Sequence, residues 1–568
     1  MRGESRPLDR MPYDRELSFP QLDAQACWRG GVACTVRAVA FLGRNYLSNI
    51  NEMAGSMGVL TEEFQFLSLC ASIGMSMVFP FMVPYLRGRN VKAVYIGGYA
   101  VLALLNVVCA VSRNLPLLAL CCFLIGFVRV ALVLNTTFVI APYVLGINTL
   151  DMFLHDPATA SEAYRGEHAR TVLMPVLYCY ILCIVQFSNF ASAWVAYEFS
   201  WEYTYWLVVG MMLAAIMLVM LTFCNAPSQG CRLSSSRLPD AVLLVVAMGA
   251  LCYMLVFGKT LDWFDSRSMR VALAVAAVGG GLYLWLAAHT AERPLLEAGV
   301  FGHRYTWYGI GIFVLLMLVN SSTLFVTTYL KLSTCAGNLD SARVSCWAMP
   351  GCVAGMALSL VCVRCRVHFR YIYAMGFALM LGANLYMFFH YQTMGDYGHT
   401  IPPTLLHYSG MLVLYSVTCA FAMKRLPARY FATWLFLMVA VRNVVAPAIG
   451  TSVYGNWLQE RQRHYATRLA YDYSADRQQA AARFAAVEAG GKRLGRGAVE
   501  AAQAASAAVL GPVAKQATLV AMKRHNGLYC MDMRRRRPAL HAAALPSGRA
   551  HIGVCAARPL RMKVKTSC

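Results

Sequence analysis

The chain is dominated by long stretches that contain no Asp, Glu, Lys or Arg, and this limits its fold more than any other feature. A bilayer core of about 30 Å requires roughly 20 apolar residues per helix. Uncharged runs on that scale occupy 64–86, 93–112, 130–150, 171–197, 203–231, 241–258, 271–291, 305–330, 344–363, 371–395 and 397–423. They are solidly apolar, whereas the strands of a membrane barrel alternate apolar and polar residues, so they predict helices. Two more spans, 115–137 and 430–455, each contain one arginine, Arg129 and Arg442, and a weaker one covers 31–51 across Arg37 and Arg44. The expected fold is an all-α polytopic membrane protein with about thirteen spans, 115–137 running on into 130–150. With 14% of its residues charged, against roughly 25% in soluble proteins, neither a soluble fold nor a disordered chain fits.

Short loops set the expected orientation, because Lys and Arg are retained on the cytoplasmic side. With the N-terminus inside, the inner loops hold fifteen Lys or Arg and the outer loops six. A multi-pass protein of a cell membrane with a cytoplasmic N-terminus is therefore expected, with the lipid bilayer as its first partner. The formal charge of +23 arises partly in these loops and partly in residues 523–568. No binding domain accompanies it, so nucleic acid is not an expected partner. Residues 1–29 have no apolar core and do not read as a secretory signal. Of the twenty cysteines, Cys70, Cys109, Cys121, Cys122, Cys179, Cys183, Cys252, Cys352 and Cys419 are among those inside lipid-length runs and read as small packing residues. Cys362 and Cys365 form the one Cys-x-x-Cys, without a second pair, so neither a metal site nor a cofactor is expected.

In a helical bundle, solutes bind near mid-membrane, so polar side chains deep in apolar runs are the candidates for a substrate pathway: Arg129, Asn135, Gln186, Asn189, Asn320, Asn384, Arg442 and Asn443. The amides can equally join helices through interhelical hydrogen bonds. The two arginines point to function or gating, since a mid-membrane charge costs a few kcal/mol on insertion scales. Proton coupling needs a group that titrates in the pathway. The strong runs lack carboxylates, and Glu52, which follows Asn49-Ile50-Asn51 at the end of the first span, is the proton-coupling candidate. Its alternative is a solvated helix-end carboxylate. Twelve histidines without a close helix-spaced pair, and no phosphate loop or Ser-His-Asp pattern, leave no expected catalytic residues.

An internal echo organises the spans. Run 64–86 contains proline and ends in a basic loop with Arg87, Arg89 and Lys92, while 344–363 begins near Pro350 and ends in Arg364, Arg366 and Arg370. If spans 9–14 repeat spans 1–6, spans 7 and 8 are an insertion between two six-helix halves, which is transporter architecture. Both basic loops then become candidate gates that touch inner helix ends of the opposite half, or else simple topology determinants.

Several motifs follow one another in a telling order: Ser200-Trp201-Glu202-Tyr203-Thr204-Tyr205-Trp206, Gly258 to Trp263, and Glu292-Arg293-Pro294-Leu295-Leu296 with Phe301 and Arg304. Met349-Pro350-Gly351 and Arg442 with Gly450 continue the series. Over about 38–520 the chain resembles the fourteen-span drug:proton antiporter branch of the major facilitator superfamily. It departs from that branch in lacking the Asp of the first basic loop, in having Val133 four residues after Arg129, and in having no glycine in 171–193.

The resemblance implies two six-helix bundles with two inserted helices. The implied divisions are a cytoplasmic segment 1–30, an N-terminal bundle 31–224, a linker with the inserted helices 225–291, a C-terminal bundle of five spans 304–455, a polar outer loop 456–520 and a basic tail 521–568. The branch's last span is expected to be missing, as though the reading frame had changed near the end. The implied activity is secondary transport of small hydrophobic or amphipathic compounds by alternating access, as multidrug efflux by proton antiport across a bacterial inner membrane. Protons, a small-molecule substrate and a periplasmic adaptor are the implied partners. Uptake or facilitated passage of a small solute is the alternative, and a sensor or intramembrane enzyme the alternative of another class.

Overall fold

In a computed structural model of the chain, residues 49–81, 91–145, 160–222, 238–289, 295–333, 337–392, 395–422, 426–427, 430–472 and 478–543 are described. The weak first span expected at 31–51 lies almost wholly outside them, as do Arg87 and Arg89. The apolar runs become helices because only helices satisfy their own backbone groups in lipid. The first bundle contains α1 (Ile50–Met57), α2 (Thr61–Met77, extended by a 3₁₀ turn Phe79–Phe81), α3 (Val91–Val111), α4 (Leu115–Leu145), α5 (Ala160–Glu198) and α6 (Trp201–Thr222). Gly58 closes α1 in the left-handed region at φ 68°, where a side chain would be strained. A hairpin of α7 (Leu238–Phe257) and α8 (Arg267–His289) follows and packs against α2.

The second bundle runs through α9 (Arg304–Asn320), α10 (Thr323–Ser333), α11 (Asn338–Cys346), α12 (Ala348–Arg364), α13 (Phe369–His390) and α14 (Ile401–Ala422). It continues with α15 (Phe431–Ala440), a π turn (Val441–Val445), α16 (Ala446–Asp472), α17 (Gln478–Arg493) and α18 (Ala498–Ala543). Thirteen of the described segments are long and apolar enough to cross a membrane, with α9–α10, α11–α12 and α15–α16 each counting as one. Among the described residues there is no strand. The protein is an all-α, multi-pass membrane protein.

Packing repeats between the bundles. In the first, α2 and α4 meet backbone to backbone: a Cβ on Gly74 would run into the Phe123 carbonyl, and one on Gly126 into that of Ala71. In the second, α12 and α14 meet the same way, with a Cβ on Gly355 falling 2.6 Å from the Ser409 carbonyl oxygen and one on Gly351 2.8 Å from that of Leu405. Small residues that let backbones approach are the usual means of helix association where water supplies no drive. Likewise α3 packs on α6, and α13 on α18. Across the bundles, α5 lies against α12 and α14 while α15 and the π turn lie against α2.

This pattern corrects one expectation. A candidate for the last span exists: Ala498–Gly527 is long and apolar enough to cross a membrane and occupies, against α13, the place that α6 occupies against α3. Arg524 donates to the Tyr465 hydroxyl at 2.8 Å, and Asn526 donates to the Asn384 carbonyl and the Tyr391 hydroxyl, each at 3.3 Å. The helix runs unbroken through residue 520, where a loop was expected to give way to a tail. The span escapes a search for uncharged apolar runs because it is built largely of alanine, has a mean hydropathy of only 1.2, and is interrupted by Lys515. Between α17, which ends at Arg493, and α18 the chain turns at Gly495, φ 76°.

Candidate functional site

Arg442 sits on the π turn, a distortion that inserts an extra residue into a helix and often marks a site of function. Its Nη1 donates to the Tyr178 hydroxyl at 3.0 Å and its Nε to Asn443 Oδ1 at 3.1 Å. The guanidinium lies 5.4 Å from the Tyr178 ring centre and 5.2 Å from that of Tyr415, and these two rings stack at 5.5 Å. The Tyr178 oxygen is also 2.9 Å from Cys419 Sγ. Tyr178 belongs to α5 of the first bundle, the other partners to the second, so the cluster is a tie between bundles. The groups it bonds are neutral. Two aromatic faces and two oxygen acceptors therefore replace the water a mid-membrane cation would otherwise need.

Two turns further along α5, about 12 Å away at 1.5 Å per residue, Gln186 makes a second tie by donating to the Tyr408 hydroxyl at 3.1 Å. The neighbouring His407 donates from Nε2 to Asn320 Oδ1 at 3.1 Å. Asn320 is the last residue of α9, where Ser321 and Ser322 interrupt the span before α10. A cavity of about 60 Å³ opens beside this pair, walled by α10, α11, α13 and α14. Sites for drug-sized ligands measure about 300–1,000 Å³, so this space fits waters rather than such a ligand.

At one end of the bundles Asn49 donates to the backbone oxygen of Ser192 at 3.2 Å and to its hydroxyl at 3.1 Å. Asn338 of the second bundle donates to Asn49 Oδ1 at 3.2 Å and to Glu52 Oε1 at 3.5 Å. Glu52 is thus part of a polar tie that closes this end. At the opposite end the turn Phe79–Phe81 packs against α15. The bundles touch at both ends and in the middle.

The remaining expected residues divide as follows. Arg129 is buried on α4, 2% exposed. Asn189 Oδ1 is buried with no hydrogen-bond partner among the described residues. Asn384 donates within α13 to the Met380 carbonyl at 2.9 Å and lines the cavity. Asn135 lies on α4, its side chain outside what is described. Of the expected gating residues, Lys92 donates to the Met220 carbonyl at 3.1 Å, in the last turn of α6 and within its own bundle, where a cation favours the helix dipole. Arg364 and Arg366 are exposed, Arg366 at φ 54°, and Arg370 is half-buried. Sequence reasoning missed Tyr178, Tyr408, Tyr415 and His407. For His407 a signal existed, a histidine inside an otherwise uncharged lipid-length run; the tyrosines gave none.

The overall likeness is to solved transporters. A POT family transporter in complex with a thioalcohol-conjugated peptide superimposes with a TM-score of 0.51 at 10% identity, covering 90% of this chain and 96% of that one. A peptide transporter in complex with alafosfalin gives 0.50 at 11% identity, covering 90% and 95%. The class is thus a polytopic α-helical protein with a transporter fold. In sequence, the probable multidrug resistance protein EmrY of Escherichia coli K12 is 30% identical over 123 residues, 21% of this chain and 23% of that protein, so the likeness spans about a quarter of that relative. No protein-family profile matches the chain.

Proposed function

We propose that the chain is a secondary transporter of a cell membrane that moves small hydrophobic or amphipathic compounds by alternating access, as an efflux protein driven by protons. The observation that carries this reading is the tie of Arg442 to Tyr178, a fixed cation caged by aromatic rings between two bundles. A substrate that replaces the phenol at the guanidinium releases one bundle from the other. A permanent positive charge disfavours lipophilic cations and favours neutral or anionic amphipaths. The end tie of Asn49 with Asn338 and the packing of Phe79–Phe81 on α15 open alternately in this cycle. Residues 31–224 and the second bundle from 304, completed by 498–527, rock against each other, with 225–291 at the side. A cytoplasmic N-terminus and an adaptor on the outer face belong to the same reading, the latter on the likeness to EmrY.

Inside-out and right-side-out proteoliposomes, with and without a proton gradient, test it with anilinonaphthalenesulfonate, a fluorescent amphipathic anion. Gradient-driven uptake into inside-out vesicles is expected; flux indifferent to gradient and orientation refutes antiport. Uptake of a small solute is the second reading, favoured by the fold shared with the two peptide transporters, and predicts the opposite sidedness.

A further inference from the structure

We propose that His407, with the small cavity it borders, is the proton-carrying site of this transporter; the proposal rests on the transport reading above and deepens it. The problem it answers is on the sequence. Among the described helices of both bundles up to Tyr454, carboxylates lie outside mid-span: Glu52 on the short α1, Glu62 and Glu63 opening α2, Glu162 and Glu167 in the part of α5 before its apolar run from 171, Glu198 closing α5, Glu202 opening α6 and Asp340 opening α11. A proton-driven cycle needs a titrating group that both sides can reach, and none of these is mid-span.

His407 has what they lack. It is 5% exposed, in the second turn of α14, and imidazole is the side chain whose ordinary titration falls between about pH 5 and 8. Its Nε2–H is spent on Asn320, at the point where α9 gives way to α10, which leaves Nδ1 as the basic atom. The cavity beside it is lined mostly by apolar atoms, with Ser322, Thr327, Ser341, Ser345, Thr404 and Asn384 among the residues around it. A single water needs at least about 10–15 Å³ of such volume, so a cavity of about 60 Å³ has room for water beside the ring.

The surroundings do not neutralise a charge placed there. Among the described residues the cavity wall contains no carboxylate, lysine or arginine, and Tyr408 is its other ionisable group. From the packed elements, α9 presents the Asn320 amide, α5 the Gln186 amide on Tyr408, and α12 the Cys352 thiol near Tyr408. On α11 the charged pair is Asp340 with Arg343, exposed and off this wall. His390 at the end of α13 and His399 in the turn before α14 lie with ring centres 4.9 Å apart, tilted by 39°. Protonation turns the ring from one donor and one acceptor into two donors and leaves an imidazolium without a counter-ion on the cavity wall. That charge favours admission of water, and so opening. The next residue, Tyr408, holds Gln186 of the other bundle, so the strain is delivered to a tie between bundles. One proton binds from one side and leaves to the other; no other bond is made or broken.

The test uses the full-length protein in liposomes, with His407→Gln as the variant and His407→Asn as a second should Gln disturb packing. Gradient-free exchange of anilinonaphthalenesulfonate is expected to stay within about twofold of wild type, while gradient-driven accumulation falls at least about tenfold. Accumulation that survives in H407Q overturns the proposal. Nitrogen-15 histidine NMR gives a readout independent of transport: the resonance lost in the variant is expected to show the ring taking up a proton in the wild type as the pH is lowered. A ring that stays neutral throughout also overturns it. If wild type fails to move the probe with or without a gradient, the transport reading fails, and the NMR titration alone decides whether His407 takes up a proton.

Discussion

Replacing Tyr178 by Phe removes one oxygen and leaves the ring, so the 5.5 Å stack on Tyr415 and the 5.4 Å approach of the Arg442 guanidinium remain. What is lost is the acceptor for Arg442 Nη1 at 3.0 Å and the contact with Cys419 at 2.9 Å. A hydrogen bond to a charged group contributes about 1.5–3 kcal/mol. At about 1.4 kcal/mol per factor of ten, loss of this tie shifts the balance between closed and open arrangements by roughly 10- to 150-fold. Cys419 reports that balance directly, since it is fully buried beside Tyr178. Its alkylation by N-ethylmaleimide, followed peptide by peptide by mass spectrometry, is expected to accelerate by a factor of that order, up to the limit set by the freely open state. Cys109, 2% exposed within the first bundle, should keep its rate and shows that the fold has not loosened in general. If Cys419 in Y178F reacts within about twofold of wild type, the tie does not hold the bundles together and the argument from it fails.

Arg442→Met should abolish transport of the probe yet leave Tm unchanged or raised, because replacing a desolvated charge by an apolar chain of similar length is often neutral or stabilising by about 1–4 kcal/mol; differential scanning fluorimetry reads the second half. Gly126→Ala should lower Tm by several degrees or prevent recovery of folded protein, since the new Cβ meets the Ala71 carbonyl, whereas Gly210→Ala, with nothing within 4 Å, should be silent. Reporters fused after Gly495 and after Ala543 should lie on opposite faces of the membrane if 498–527 crosses it, and on the same face if it does not.

Much of the fold was legible because lipid imposes a simple rule: a helix that cannot carry charge is visible as a run without it, as in 397–423. The rule fails where alanine replaces leucine, and 498–527 was passed over although its packing on α13 makes it part of the bundle. The same rule made Arg442 conspicuous, a single charge in 430–455. Its partners were not, because tyrosine in a membrane helix is common and nothing in the sequence sets Tyr178 opposite a residue 264 positions away. Glu52 was found from its acid and its neighbours, but its bond to Asn338 depends on how the two bundles meet. His407 was counted among neutral residues, and its role rests on a cavity that only the folded chain encloses.

The glycine contacts between α2 and α4 and between α12 and α14 have a bearing on how such a protein can change over time. Where backbone rests on backbone, no side chain remains to absorb a misfit, so Gly74, Gly126, Gly351 and Gly355 admit almost no substitute. Where α5 meets α14 the contact is instead made by side chains, Tyr178 on Tyr415 and Gln186 on Tyr408. New chemical selectivity can therefore be acquired one residue at a time along that contact, without the scaffold having to be rebuilt to receive it.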